Sequence, residues 1–510
     1  MKLKITFLTV LMFSFLQGVF GQKIFTAAAG NWNLATNWSP IGIPTVGDNV
    51  EIPIGKLVLL ANPGAEANNL TISGILQVFA PGTLTVTNEL HNDGTMTIIS
   101  DASDNGSVIV GSYTGSGSST YQRYLTGGDW HLISNPLSDG GITIADFITN
   151  HGAAMTQSGV KYSLATYDNQ FVANGVSTWK NYSSDGSNPA PATSFTEAKG
   201  YEILMDANGT VDFTGGINVG PVTYTLTENL TGWNLVGNPF ASSIYGNTNA
   251  HVTDNFLTTN VAQLDPSYVS MYIWNPTSGL YDIVNQATGS RALAPGQAFF
   301  VKSKTGGGTA TFDNDMRTHQ SANNFQKNAS SEIPTINVTL DNNAGSVAST
   351  EVKYMAGTTL GLDAGYDAGQ FGGAGTSKFN LYTELVQDNG VDFALQVVPD
   401  TDYENTIIPL GVNAKSGTQI TFKATTSDLP SDEKVYIEDK VLNTFTEIDD
   451  SSKTHTVALS SNLTGTGRFY LHRTGQALSI DQYDVASSYV LAPSTDSGSM
   501  KLYGNVATNG

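Results

Sequence analysis

The sequence predicts an all-β, multidomain protein in which a short β-solenoid is followed by tandem β-sandwich-like repeats and then an antiparallel β-sandwich. Three observations lead there. Charged residues make up only 13% of the 510, while Gly, Thr, Ser and Asn are abundant, a bias that suits short strands joined by tight turns. Apolar residues alternate with polar ones over runs of three to seven residues, the period of a strand rather than a helix. Finally, one phrase occurs twice. Trp130-His131-Leu132-Ile133-Ser134-Asn135-Pro136-Leu137 returns as Trp233-Asn234-Leu235-Val236-Gly237-Asn238-Pro239-Phe240, with five of eight positions identical or exchanged only between Ile and Val.

The chain opens with the pattern of an export leader. Lys2 and Lys4 precede an apolar run from Ile5 to Leu16, and Val19-Phe20-Gly21 ends in the small residue a signal peptidase prefers. Cleavage is expected between Gly21 and Gln22, making residues 1–21 a signal peptide. The apolar run is shorter than the ~20 residues a membrane span needs, and no later segment is apolar enough to span, so the mature chain is expected to carry no transmembrane segment. Losing Lys2 and Lys4 takes the formal net charge from −21 to −23. Such an acidic surface repels phosphate backbones, which argues against nucleic-acid partners. With no cysteine, disulfides, Cys-based zinc sites and thiol nucleophiles are excluded.

Residues 22–120 read as a Trp-rich cap and a solenoid-like domain. Trp32 and Trp38 sit in a turn-rich stretch, and two readings fit them: a sugar-stacking platform, or a hydrophobic cap over the first coil. Behind them, Leu57-Val58-Leu59, Leu70-Thr71-Ile72, Leu76-Gln77-Val78, Leu84-Thr85-Val86, Met96-Thr97-Ile98 and Val108-Ile109-Val110 are short in-out-in strands separated by Gly- and Asn-containing turns. Strands this short bury little alone, so stacking them as rungs around one interior is the natural solution. Asp101, Asp104 and Asn105 supply clustered oxygens of the kind calcium takes, but match no complete calcium loop. No cofactor is called for beyond such a structural calcium.

The two repeat units run over residues 121–220 and 221–318. A second phrase follows each copy of the first: Ala198-Lys199-Gly200-Tyr201-Glu202-Ile203-Leu204-Met205 is matched to Ala294-Pro295-Gly296-Gln297-Ala298-Phe299-Phe300-Val301. Each closes on a Gly-Thr-x-x-Phe element, at Gly209 to Phe213 and Gly308 to Phe312. Segments 162–167 and 268–274 read as strands, and Asn135-Pro136 and Asn238-Pro239 as strand exits. Copied residues point to scaffolding, since a folding residue must be repeated and a catalytic one need not be. Trp179, Tyr182, Tyr272 and Trp274 lie mid-unit, where aromatic faces can stack on pyranose rings or fill a sandwich core. They are the carbohydrate-binding candidates.

Residues 319–333 form a polar linker, and clean alternation resumes at Thr335 to Leu340. The strands that follow, spaced by turns, predict one antiparallel sandwich over 334–474.

Within that domain, Gly361-Leu362-Asp363-Ala364-Gly365-Tyr366-Asp367-Ala368-Gly369, Pro409-Leu410-Gly411-Val412, Thr418-Gln419-Ile420-Thr421-Phe422, Tyr436-Ile437-Glu438-Asp439-Lys440 and Gly467-Arg468-Phe469-Tyr470-Leu471-His472 occur in this order. Together they resemble a module common in large secreted surface proteins of the Bacteroidetes, where it precedes a C-terminal sorting domain read by the type IX secretion system. Leu478-Ser479-Ile480-Asp481, a strand at Tyr489-Val490-Leu491 and Met500-Lys501-Leu502-Tyr503-Gly504 look like the start of such a domain over 475–510, truncated relative to its relatives. The resemblance implies type IX machinery as an export partner, delivery to the cell surface or medium, and surface glycans or other cell-surface proteins as contacts. Its motifs are structural and carry no catalytic residue.

Catalytic patterns are absent from the sequence. Its seven histidines form no His-Glu-x-x-His site, and there is no Gly-x-Ser-x-Gly elbow or phosphate loop. A glycosidase needs only two carboxylates set apart in space; Asp129, Asp139, Asp168, Asp212 and Asp282 could be recruited, though each also suits a turn or a solvated face. The expectation is a non-catalytic structural or adhesive protein, with carbohydrate binding or polysaccharide processing as the alternative.

Overall fold

The computed structural model describes residues 21–138, 140, 142–169, 179–185, 194–320, 333–372, 378–387, 390–450, 452–476, 478, 490–493 and 500–503. They are almost all strand and turn. The chain divides into two compact units, the first holding the solenoid and both repeats, the second beginning beyond the linker and including Pro266–Ser270.

The solenoid makes about four turns. One wall is built from Gly21–Phe25, Asp48–Ile52, Asn69–Ile72, Thr83–Asn92 and Ser107–Thr114, the other from Ala29–Asn31, Leu57–Leu60, Ile75–Val78, Thr95–Ile99 and Ser118–Leu125. Successive rungs pair in parallel, as Val50 with Leu70 and Val58 with Leu76. Alternate side chains such as Ile52, Leu60, Ile72 and Val78 are fully buried between the walls, which is why a three-residue apolar pattern suffices to specify each rung. Stacking is close at one corner, where a Cβ on Gly94 would overlap the Gly74 carbonyl and one on Gly117 the Gly94 carbonyl. Asparagines line the outside: Asn68 and Asn69 donate to Asn49 Oδ1 at 2.9 and 2.8 Å, and Asn88 to Asn69 Oδ1 at 2.7 Å.

Both ends of the solenoid core are covered. Trp32 and Trp38 are buried and meet edge to face at 5.0 Å, with Trp38 Nε1 donating to the Trp32 carbonyl at 2.7 Å. They form the cap and offer no face for a sugar. At the other end the second repeat supplies cover: Val108 N–H donates to the Ala241 carbonyl at 2.8 Å, and Arg317 Nη1 to the Val110 carbonyl at 2.9 Å. His319 is pinned there between Ser107 Oγ at 2.7 Å and Thr85 Oγ1 at 2.9 Å.

The repeats share one plan. In the first, the sheet order is Trp130–Ile133, Tyr201–Leu204, Lys161–Tyr167, then Trp179–Ser183; in the second it is Trp233–Gly237, Ala298–Lys302, Met271–Asn275, Leu280–Val284. Each adds an antiparallel pair, Ser118–Leu125 with Gly209–Gly215 and Val222–Leu226 with Gly308–Phe312. The expected boundary at 120/121 therefore falls inside a strand, since Ser118–Leu125 is both the last rung of one solenoid wall and the outer strand of the first repeat. Each repeat also carries a short helix, Ile144–His151 and Phe256–Asn260, started by Thr143 in a capping box with Asp146 and by Asn255 accepting from Thr258 N. The strand expected from 268 begins instead at Met271, because Pro266–Tyr268 turns as a 3-10 helix.

The register of the second phrase also differs from the sequence match. Trp130 pairs with Leu204 and Trp233 with Lys302, so Tyr201 corresponds to Phe299 and Glu202 to Phe300, two residues on from the match by eye. In this register the copies join reciprocally. Ile133 bridges Gln297 while its counterpart Val236 bridges Lys199; Ser134 N–H donates to the Gly296 carbonyl at 2.8 Å and Gly237 N–H to the Ala198 carbonyl at 3.0 Å. The equivalent residues Gly200 and Ala298 meet here, and a Cβ on Gly200 would lie 2.8 Å from Ala298 Cβ as well as overlapping Leu235. Only one of the pair has room for a methyl group.

In the second unit the strands form one hydrogen-bonded path: Thr444–Glu447, Lys434–Asp439, Phe469–Thr474, Ile408–Asn413, Asn380–Thr383, Phe393–Val398, Val347–Tyr354, Thr335–Asp341, Gln419–Ser427 and His455–Ala458. The path folds over one core that includes Val338, Phe422, Ile437 and Leu471. Ile448 links its two ends, donating to Val435 O and accepting from Ala424 N. The expected purely antiparallel sandwich needs correction at one pair, because Val347–Tyr354 and Phe393–Val398 run parallel. A parallel pair requires a long crossover, supplied here by the stretch that contains the Gly361 to Gly369 motif. Val490–Pro493 and Met500–Tyr503 pair antiparallel with each other.

Two outcomes follow for stability. Gly200→Ala is expected to destabilise the first unit by about 1–3 kcal/mol through overpacking, whereas Ala198→Gly stays within about 1 kcal/mol of wild type, because Ala198 holds a φ of 55° where its counterpart Gly296 has 67°; thermal unfolding distinguishes them. Burial lowers the His319 imidazole from its ordinary 6.5 to about 4. The unfolded chain thus takes up this proton first as pH falls, and the contribution of a neutral His319 is complete above pH 6.5 and lost progressively toward 4. The stability advantage of wild type over His319→Asn should shrink across that window in urea melts.

Candidate functional site

The four aromatic candidates part into two kinds. Tyr182 and Tyr272 are core residues, 4% and 0% exposed. Tyr182 packs with Leu164, Ile203 and Phe213, and Tyr272 meets the Trp233 ring at 4.8 Å. That burial leaves neither ring a face for a sugar. Trp179 and Trp274 are half-buried. Trp179 pairs edge to face with Tyr167 at 5.3 Å, and Trp274 with Tyr281 at 5.1 Å while donating from Nε1 to the Trp130 carbonyl at 2.9 Å. By the shared strand register, Tyr167 corresponds to Trp274 and Trp179 to Tyr281. These are equivalent ring pairs, and Phe300 joins the first to the second copy, lying 4.7 Å from Tyr167 and 5.9 Å from Tyr281.

His131 and Asn234 do the same structural work. His131 Nε2 lies 2.9 Å from the Thr126 carbonyl and 3.0 Å from Thr126 Oγ1; Asn234 accepts from Thr227 N and donates to Thr227 O, both at 2.9 Å. Burial lowers the His131 imidazole. A Leu-Thr pair, 125–126 and 226–227, is the sequence signal for this clasp that the duplicated phrases left out.

The calcium reading is also accounted for. Asp101 Oδ1 accepts from Ser103 N and Asp104 N at 2.7 and 2.9 Å, Asp104 Oδ1 accepts from Asn105 N, and Asn105 Oδ1 accepts from Arg123. These oxygens serve a turn. Among the described residues no group of three or more His, Cys, Asp or Glu side chains gathers in a way that could hold a metal ion. Of the carboxylates considered for hydrolysis, Asp168 is paired with Lys180 at 2.7 Å, burial raises Asp282, Asp212 sits in the strand paired with Ser118–Leu125, Asp129 is exposed, and Asp139 lies outside the described residues.

The motif residues of the second unit are likewise structural. Asp439 accepts from Arg468 Nη2 at 2.9 Å and from the amides of Val441 and Leu442. Burial alone would raise its carboxyl, but these donors outweigh burial and hold it below the ordinary range. Asp367 is pushed up to about 7 by burial, against donation from Asp363 N and Val397 N that ties the Gly361 to Gly369 loop to its neighbouring strand.

The remaining feature is a cleft of about 300 Å³ at the junction of the repeats. Tyr167 and Tyr224 flank it, Trp233 and Asn234 contribute to its floor, and Asp168, Lys180 and Lys199 bring charge. Thr166 pairs with Lys180 across one strand and Tyr201 across another, so these residues share a sheet face. Burial lowers the Lys199 ammonium, with Asp168 opposing that effect, and its Nζ lies 5.5 Å over the Tyr201 ring. Burial raises the Tyr224 phenol to about 12. Sequence reasoning missed Thr166, Lys180 and Lys199 as site residues; the fold's register sets Lys199 against Gln297, whereas the sequence match set it against Pro295.

No helix among the described residues is long and apolar enough to cross a membrane. Residues 24–472 match the family described as Domain of unknown function (DUF8693). No curated protein and no solved structure matches the chain. Tyr272→Ala is expected to cost about 3–5 kcal/mol as a core truncation, and Trp179→Ala roughly half of that or less, in the same denaturation assay.

Proposed function

We propose that this chain, which belongs to the DUF8693 family, is a non-catalytic exported protein of the cell surface or extracellular medium. It serves there as a structural or adhesive scaffold delivered by type IX secretion. The observation that carries this reading is where the repeated and motif residues go. Asn135 and Asn238 each accept from an amide two residues on, both at 3.0 Å, to turn the chain at Asn-Pro; His131 and Asn234 clasp the same backbone position; Asp367, Asp439 and Arg468 bind the second unit together. A scaffold spends its distinctive residues in this way. The leader ending at Gly21 and the resemblance of the C-terminal region to a sorting domain support the route, and the net charge of −21 suits an exposed, soluble surface.

A second reading, contact with surface carbohydrate, is favoured by the junction cleft, where aromatic walls and polar side chains converge as saccharide sites require. Its residues differ from the four aromatics named from sequence, although Trp179 belongs to the ring cluster beside Tyr167.

Fractionation of a native producer, with mass spectrometry of the protein's N-terminus, tests the primary reading. In wild type the protein should reach the surface or medium beginning at Gln22, and in a strain without the type IX channel it should accumulate in the periplasm. Periplasmic retention in both strains would remove the export proposal and leave a periplasmic binding role.

A further inference from the structure

We propose that the cleft between the repeats binds a carboxylate-bearing sugar, a uronate unit, with Lys199 and Lys180 facing its carboxylate and the Thr166 hydroxyl reaching its ring oxygens. This rests on the carbohydrate-contact reading and specifies its ligand.

Charge is the first argument. The chain as a whole carries −21, yet this cleft has two lysines and one aspartate. Asp168 is engaged by Lys180 at 2.7 Å. Among the described residues Lys199 makes no ion pair, and its Nζ lies 5.5 Å over the Tyr201 ring. A partly buried ammonium with no carboxylate at ion-pair distance is disfavoured relative to water, the more distant Asp168 offsets this only in part, and an incoming anion adds to that offset.

Thr166 is the second. Thr166 is 7% exposed, and among the described residues its Oγ1 has no hydrogen-bond partner. A buried hydroxyl left unpaired in a native fold calls for an explanation, and here it lines an open cleft on the same face as both lysines.

Comparison of the copies is the third. By the shared register, Thr166 corresponds to Ile273, Lys180 to Asp282 and Lys199 to Gln297. The second copy folds on the same plan with none of the three. Scaffold residues are copied, whereas these are particular to one site, which is the pattern expected of residues kept for a ligand.

A sugar acid fits better than other anions. Tyr167 and Tyr224 contribute aromatic surface to the lining, the volume of about 300 Å³ suits a single ring, and the net charge of −21 opposes a long polyanion such as nucleic acid.

The test is calorimetric titration of the leader-free chain with short oligogalacturonides and oligoglucuronides, their neutral galactose and glucose counterparts, and acetate. Uronates should bind, the neutral sugars should bind at least about tenfold more weakly, and rising salt should weaken the uronates. Lys199→Gln, which installs the residue of the second copy, should lose about tenfold in uronate affinity with an unchanged melting temperature; Thr166→Val should lose a smaller factor. Binding of neutral glycans as tightly as uronates overturns the acid specificity and leaves carbohydrate contact standing. Binding of no glycan overturns both. Acetate binding as tightly as a uronate removes the sugar from the proposal, and unchanged affinity in Lys199→Gln removes this cleft as the site.

Discussion

The reciprocal backbone exchange between the repeats is the constraint from which the first unit takes its form. Ile133 against Gln297 and Lys199 against Val236 are two short bridges related by the same internal equivalence, and they bring the most closely copied residues of each unit into contact with the other. Because each copy satisfies buried amides of its partner, neither edge is complete alone. The meeting of Gly200 with Ala298 shows how tight this is: symmetry would place the same residue at both positions, and sterics permit only one methyl group. The consequence extends to the solenoid, since the second repeat covers its last rung through Ala241 and Arg317 while the first repeat shares its outer strand. A parallel stack has open ends that invite further pairing; here tryptophans close one end and the repeats the other.

The second unit meets the edge problem differently. Its sheet folds over until its ends share a core, with Ile448 bonded to both sides. Charged groups that would be costly in such an interior are paired with one another. His472 lies 2.9 Å from Glu438 and Arg473 2.5 Å from Glu433, while the Arg473 guanidinium also sits 4.3 Å over Tyr354. Such pairs compensate for burial and fix which strands adjoin more than they add net stability.

Much of this architecture was legible because period-2 alternation is a local signal. Each solenoid segment named from sequence is a rung, and the two Asn-Pro exits turn as expected. What escaped was either register or orientation. The second phrase was aligned by its glycines, placing Gly200 with Gly296, whereas the fold aligns Ala198 with Gly296 through their shared positive φ. Identity of residue type misled there because backbone conformation, carried by an alanine in one copy, was the conserved quantity. Tyr182 and Tyr272 could stand as stacking candidates because an aromatic residue reads the same on either face of a strand. The short helices were missed because eight and five residues hold too few turns for a 3.6-residue period to emerge, although Thr143 and Asp146 spelled out a capping box. The cleft could not be read at all, since it joins residues from four strands separated by up to about seventy positions.

Divergence between the copies separates residues by what the fold demands. Where His131 became Asn234, both side chains still reach the backbone of Thr126 or Thr227, so chemistry changed while the contact persisted. Where Glu202 became Phe300, burial pushes the Glu202 carboxyl up to about 8. At neutral pH it is therefore largely the uncharged acid, a group that can occupy a place its counterpart fills with a benzene ring without placing a charge there. Both exchanges keep the local physical requirement and alter only the side chain that meets it. Lys199, Lys180 and Thr166 follow neither pattern: Gln297 lacks the charge of Lys199, Asp282 inverts that of Lys180 and Ile273 has no hydroxyl, and the second copy keeps its sheet order regardless. The shared sheet order does not depend on these three side chains.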